Sequence, residues 1–237
     1  MHDHKAALAS PVASLAADLS AILAAAAGGS SVLDIGRVEY AAALDLQRQL
    51  REARQTGRIG DLLILLEHPP TITLGRGAQG SELLLRPEEL TQREIVVATT
   101  DRGGRTTYHG PGQTVGYGIV DIAGRGHDLH RFVRDLEQVL IDALAELGVT
   151  SGRISGFTGV WVGDAKIAAI GVHVRHWVSN HGFALNVTRE SHAGFDLIVP
   201  CGIPDRPVTC LEDVLRRSVS PVAVREALAR AFQRRFA

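Results

Sequence analysis

The sequence predicts an α+β protein, a mixed β-sheet flanked by helices. Three observations carry that expectation. Short apolar runs bounded by Gly and Pro alternate with segments of helical periodicity. A two-residue turn joins two strand-like runs, which argues against a doubly wound parallel sheet. A chain of 237 residues, 45% hydrophobic and 22% charged, can bury a full core. With 26 acidic against 25 basic groups, the chain lacks the electrostatic footprint of a nucleic-acid binder. No apolar run approaches a membrane span. Two cysteines cannot staple a chain this long, which points to a reducing, cytoplasmic compartment. Within the basic total, lysine occurs only at positions 5 and 166 and arginine supplies the rest.

Residues 1–30 read as an N-terminal extension and 31–237 as a single domain. The extension is an Ala-rich helix, facing the surface or a partner, rather than a secretory signal, because Asp18 interrupts its apolar stretch. Ser10 suits the N-cap, Pro11 the first helical position, and Gly28 and Gly29 the stop. Val12, Leu15, Leu19 and Ile22 share a stripe. His2 and His4 belong to a frayed terminus. Strands are expected at 32–38, 61–67, 71–74, 95–99 and 114–122, with a helix at 39–55. An amphipathic helix covers 128–148, where Phe132, Leu136, Leu140 and Leu144 fall in register. The hairpin joins 159–162 to 165–175 through Gly163 and Asp164, and a partner strand follows at 181–187. Helices at 209–217 and 221–236 close the chain.

The GxGxxG match at residues 75–80 reads as a turn between strands, since no crossover helix follows it. Residues 101–118 are more distinctive. Their glycines let the backbone approach a ligand, Arg102 and Arg105 add charge, and His109 is expected to titrate near neutral pH. This segment reads as a ligand-binding loop. His173, His176 and His181 do not read as a metal cluster, because no carboxylate or cysteine joins them and His173 and His176 differ in strand parity.

Period-2 alternation places Lys166 on an apolar strand face with Ala168, Ile170, Val172 and Val174. There it serves either as a desolvated base or as a strand-end lysine snorkelling to water. Each cysteine has an argument. Cys210 would open a helix behind a Thr209–Glu212 capping box, although Glu212 and Asp213 oppose a thiolate there. Cys201 sits in a Pro-Cys-Gly turn, where the Gly202 N–H can donate to an oxyanion. Position alone leaves the two tied.

At these residues the chain resembles the lipoyl(octanoyl) transferase family, the octanoyl-carrier-protein:protein N-octanoyltransferases. The family signature is matched by Arg102, Gly103, Gly104, Thr107, Tyr108, His109, Gly112, Gln113, Val115 and Tyr117. The Glu67-His68-Pro69 segment leading to Gly75, the Lys166-Ile167-Ala168 segment and the Pro200-Cys201-Gly202-Ile203 turn also match, in family order. The resemblance implies a biotin/lipoate protein ligase-like fold, akin to class II aminoacyl-tRNA synthetases and biotin synthetases. It also implies transfer of octanoyl or lipoyl from acyl carrier protein to a lysine of lipoyl domains, in 2-oxoacid dehydrogenase E2 subunits and the glycine cleavage H protein. By the same resemblance, Cys201 is the acyl-accepting nucleophile and Lys166 lowers its pKa and moves protons. Arg102, Gly103, Gly104, Arg105, Thr106, Thr107, Tyr108 and His109 match substrate-binding positions. So do Ala169, Ile170 and Gly171, and Gly182, Phe183 and Ala184. Small residues such as Ala169, Gly171 and Gly182 are expected to leave room for the acyl chain. No cofactor, metal, nucleic acid or membrane is implied. The rival readings are an ATP-dependent ligase on the same fold, a cysteine thioesterase and a non-catalytic scaffold.

Overall fold

The computed structural model describes residues 15–29, 31–199 and 206–236. Strand β1 (Val32–Arg37) runs parallel to β2 (Leu62–Glu67), a step that requires the crossover supplied by α2 (Tyr40–Gln55). The sheet continues antiparallel through β6 (Gln113–Ile119), β10 (Val178–Asn186), β9 (Ala165–Arg175), β8 (Phe157–Val162) and β7 (Gly152–Ile154). A second sheet sets β3 (Thr71–Leu74) between β4 (Val96–Thr99), parallel, and β5 (Thr106–His109), antiparallel. The mixed sheet expected from the hairpins is therefore present.

The two faces of the main sheet are separated by side-chain alternation. Leu63 and Leu65 of β2 pack with Leu136 and Leu140 of α4 (Leu129–Glu146) and with Leu228 and Phe232 of α6 (Pro221–Phe236). Leu62, Ile64 and Leu66 point the other way, onto Leu46 and Leu50 of α2. Each such buried side chain contributes about 1.5–3 kcal/mol. Asp128 caps α4 by accepting from the Arg131 N–H. Helix α1 (Leu15–Ala27) buries Ile22 and Ala26 in the α2 layer and leaves Ser20, Ala21, Ala24 and Ala27 exposed, so one face packs on the core and the other faces outward. His2, His4, Ser10, Pro11 and Val12 lie outside the described residues.

Several boundaries differ from expectation. Thr106–His109 is a buried strand rather than part of a long loop, because its β-forming residues complete the ladder on β3. The last antiparallel strand starts at Val178, since His176 and Trp177 (φ 50° and 62°) turn the chain immediately after Arg175. Strand β7 and helix α3 (Pro87–Gln92) were not anticipated. The helix expected at 209–217 shrinks to α5 (Leu211–Leu215), with Cys210 at the N-cap and no side-chain cap. The Thr209–Glu212 capping box does not form: the Thr209 N–H donates to the Lys166 carbonyl, and Glu212 accepts from the Arg189 N–H. Residues 75–80 form the expected turn, and no helix among the described residues is long and apolar enough to cross a membrane.

Candidate active site

A cleft opens between the main sheet and the smaller one. It has two chambers that share Thr107, Ala169 and Ala184 as walls, with about 410 and 490 Å³ of empty space. The first chamber is bordered by Lys166, Trp161, Asn186, Phe195, Arg206 and Val208. The second is bordered by Tyr40, Arg102, His109, Tyr117, Ile170 and His181.

Lys166 reaches the cleft through a break in strand alternation. Trp161 pairs with Lys166 and Val160 with Ala168, so Ile167 is an extra residue in β9, a β-bulge. Ile167 and Ala168 both enter the core, and Lys166 turns to the cleft with Ala169. This corrects the face assigned by simple alternation. Gly159 accommodates the bulge: its φ is 126°, and a Cβ there would lie 2.6 Å from the Ala168 carbonyl oxygen. Half-buried Lys166 places Nζ 4.8 Å from the Trp161 ring centroid. The Arg206 guanidinium lies 5.4 Å from the same ring and 4.7 Å from Phe157. The Lys166 backbone is fixed on both sides: its N–H donates to Pro207 (2.9 Å) and its carbonyl accepts from Thr209 (3.0 Å).

Cys201 and Gly202 lie outside the described residues, with the rest of 200–205. The described chain after this segment borders the site, and the chain before it is held to Glu82. The Val199 N–H donates to the Glu82 carbonyl (2.9 Å), while Arg206 and Val208 line the Lys166 chamber. Cys210 does not line the cleft. It is fully buried, and burial pushes its thiol up to about 11, so the thiolate character suggested by a helix start is lost.

The loop before β5 is fastened from three directions. Arg102 is 8% exposed, and its Nη2 donates to the Thr73 carbonyl and hydroxyl (both 2.8 Å) and to the Arg105 carbonyl (2.9 Å). Buried Glu82 accepts from the Arg105 guanidinium and from the Thr106 amide and hydroxyl. The Gly103 N–H donates to Val172 (2.9 Å). A Cβ on Gly171 would lie 2.8 Å from the Gly103 carbonyl oxygen, and one on Gly182 would lie 2.2 Å from that of Gly116. Main chain therefore fills the space their missing side chains leave. Ala169 and Ala184 border both chambers of the cleft, and Gly171 and Gly182 border the second.

Of the sequence-derived candidates, Arg102, Gly104, Arg105, Thr107, His109, Lys166, Ala169, Ile170, Gly171, Gly182, Phe183 and Ala184 border the cleft. Gly103, Thr106 and Tyr108 support its wall from behind, Tyr108 through an edge contact with Phe195. Sequence reasoning did not single out Trp161, Arg206, Asn186 or Glu82. A glutamate leading into the apolar run Leu83-Leu84-Leu85 was the one available signal, since a buried carboxylate needs partners.

Buried His68, His109 and His181 are neutral near pH 7. Burial pushes His109 down to about 3, with His68 and Arg102 adding to the effect, so it does not titrate near neutrality as its ordinary value implies. Its Nδ1–H donates to Gln113 (2.8 Å), Gln113 donates to Asn186 (2.9 Å), and Asn186 donates to the Thr209 carbonyl (3.0 Å). This buried line ends where Thr209 holds Lys166. His68, pushed down to about 4 by burial, donates from Nδ1 to Val38 and accepts from the Tyr117 hydroxyl, each at 2.6 Å. A carboxylate does join His173 to His181. Asp101 is hydrogen-bonded to His181 Nε2 at 2.7 Å, which ties the loop to β10, and lies 2.9 Å from His173 Nδ1 without a hydrogen bond, while His176 sits in the turn.

Residues 39–233 match the lipoyl protein ligase A/B catalytic domain model. An octanoyltransferase of Chloroflexus aggregans is 50% identical over 184 residues, covering 76% of this chain and 83% of that protein. An octanoyltransferase of Acidobacterium capsulatum is 49% identical over 195 residues, covering 77% and 79%. Among solved structures, lipoate-protein ligase A bound with ATP superposes with a TM-score of 0.69 at 18% identity, over 86% of this chain and 84% of that one. A bipartite lipoate protein ligase from Thermoplasma acidophilum gives 0.63 at 18%, over 84% and 81%. At that identity these two likenesses establish the fold. The chain belongs to the lipoyl protein ligase A/B catalytic domain family, within its octanoyltransferases.

Proposed function

We propose that this octanoyltransferase carries the acyl group on Cys201, from the thioester of octanoyl-acyl carrier protein to a lysine amine of lipoyl domains of E2 and H proteins, in the cytoplasm. A free thiol is only a few per cent ionised at neutral pH, so the exchange gains from a nearby proton acceptor. Lys166 Nζ takes the Cys201 proton and the sulfur attacks the thioester carbonyl. A new C–S bond forms, the bond to the carrier's sulfur breaks, and the carrier thiol leaves with the proton. The acceptor amine then attacks the acyl-Cys201 thioester. A C–N bond forms, the C–S bond breaks, and Lys166 relays the amine's proton to the sulfur. Neither half consumes ATP. Ala169, Ala184, Val115 and Ile170 offer the acyl chain an apolar wall, worth about 0.8 kcal/mol per buried CH₂.

The observation that carries this reading is the bulge at Ile167, which delivers Lys166 to the cleft, together with its backbone bonds to Pro207 and Thr209 on the chain that follows Cys201. The test is intact mass after mixing with octanoyl carrier protein. One octanoyl adduct is expected on the native chain and none on Cys201→Ala. An apo lipoyl domain then removes the adduct and gains the same mass. An adduct that persists in Cys201→Ala, or transfer requiring ATP and free octanoate, overturns the reading. Release of free octanoate with no acceptor gain identifies a thioesterase.

A further inference from the structure

Away from the cleft lining, α5 and the turn Arg189–His192 bring together a thiol, an imidazole and a carboxylate. Cys210 Sγ donates to Asp213 Oδ2 at 3.4 Å, and His192 Nδ1 lies 3.8 Å from the same oxygen. The donor atoms all lie within 4.8 Å of one another. The other carboxylate oxygen, Oδ1, accepts from Arg189 Nε at 2.6 Å. That bond turns Oδ2 toward the thiol and the imidazole, as outer partners orient ligating carboxylates. His192 Nε2 is buried and makes no hydrogen bond, so that nitrogen does not fix the ring. Cys210 is fully buried, while the His192 and Asp213 side chains are 32% and 38% exposed, which leaves one open side for entry.

We propose that His192 Nδ1, Cys210 Sγ and Asp213 Oδ2 form a site for one thiophilic divalent cation of the zinc class, outside the cleft. Tetrahedral zinc, with bonds of about 2.3 Å to sulfur and about 2.0 Å to nitrogen and oxygen, needs donor separations of about 3.3–3.6 Å. The two separations to Asp213 Oδ2 are close to that range, and a rotation of the unbonded His192 ring closes the third. A thiolate, an imidazole and a carboxylate together select zinc over magnesium or calcium. On binding, the metal–sulfur bond forms as the thiol proton leaves to solvent, with no change of oxidation state, and water completes the fourth position. The cation would pin the 189–192 turn to α5. It would thereby stiffen the backbone at Thr209, the neighbour of Cys210 that holds Lys166 and Asn186.

The test uses the full chain carrying Cys201→Ser, so that Cys210 is the remaining thiol. Titration with Co²⁺ is expected to saturate at one equivalent, with tetrahedral visible bands and a near-ultraviolet thiolate charge-transfer band. Zn²⁺ displaces both and raises the melting temperature. Adding Cys210→Ser abolishes the charge-transfer band. His192→Gln, with folding checked by circular dichroism, weakens affinity at least about tenfold. The proposal is overturned by a band surviving without Cys210, by unchanged affinity in folded His192→Gln, or by binding with no thiolate band. The last result would place the ion on other histidines, such as His2 and His4. Absence of saturable binding overturns it equally. If Cys210→Ser does not fold, the His192→Gln arm decides.

Discussion

Lys166 and Trp161 are cross-strand partners on β9 and β8, and the Lys166 Nζ lies 4.8 Å from the Trp161 ring centroid. Strand pairing and ring contact thus fix the same amine twice, once through the backbone and once through the side chain.

Trp161→Ala is expected to slow octanoyl adduct formation, while Trp161→Phe keeps most of the rate. A cation–π contact is worth about 0.5–2 kcal/mol, or roughly 2- to 30-fold. The measurement is the time course of the adduct by intact mass near neutral pH, with melting curves run alongside. An unchanged rate in folded Trp161→Ala removes the ring from the positioning of Lys166.

Gly159 is the hinge of the same arrangement. Its φ of 126° and the 2.6 Å approach of a hypothetical Cβ to the Ala168 carbonyl oxygen leave an alanine no relaxed position. Gly159→Ala should cost about 1–3 kcal/mol in urea unfolding. Gly163 also has positive φ (56°) but nothing within contact of its Cβ position, so Gly163→Asn should stay within about 1 kcal/mol of the native chain. Equal losses at the two positions would show that the bulge does not require Gly159.

Stability should fall on acidification through the histidines. His68 and His109 are pushed by burial from 6.5 to about 4 and about 3. The unfolded chain therefore takes up protons first, as pH drops below 6.5. Their contribution is fully present above 6.5 and is lost progressively as pH falls toward the folded values. Between pH 7 and pH 5 each withdraws on the order of 2 kcal/mol. Urea midpoints should decline from about pH 7 to about pH 5, with a shallower slope in His68→Gln. A flat profile over that window contradicts the neutral assignment of both rings.

Much of this was legible from local pattern. The unbroken apolar run of β2, the stripe of α4 and the turn at Gly163 and Asp164 each lie within one short stretch of sequence. The position of Lys166 was not. Ala-Lys-Ile-Ala-Ala-Ile reads smoothly as an unbroken strand, and only pairing with Val160 and Trp161 reveals Ile167 as the extra residue. Thr106–His109 was hidden for a related reason: a glycine-rich neighbourhood masked a strand whose partner lies far away in the chain. The N-cap of α5 moved because the Thr209 amide is committed to Lys166, a bond between distant segments that no local capping rule contains.

Glu82 couples both halves of the proposed chemistry. Its carboxylate holds Arg105 and Thr106 in the loop, and its carbonyl accepts from Val199 on the chain leading to Cys201. Glu82→Gln keeps the volume but places an amide N–H₂ against donors that previously met a carboxylate. Breaking a buried, charge-assisted network of this kind costs about 2–4 kcal/mol. Being buried, the loss should persist at high salt, unlike that of a surface pair. The loop and Val199 are both anchored here, so adduct formation should slow at a temperature where the variant remains folded. The KM for the octanoyl donor should rise together with the fall in kcat. A variant destabilised as stated but kinetically native would make Glu82 a fold residue alone, with the cleft positioned by Arg102 and Asp101.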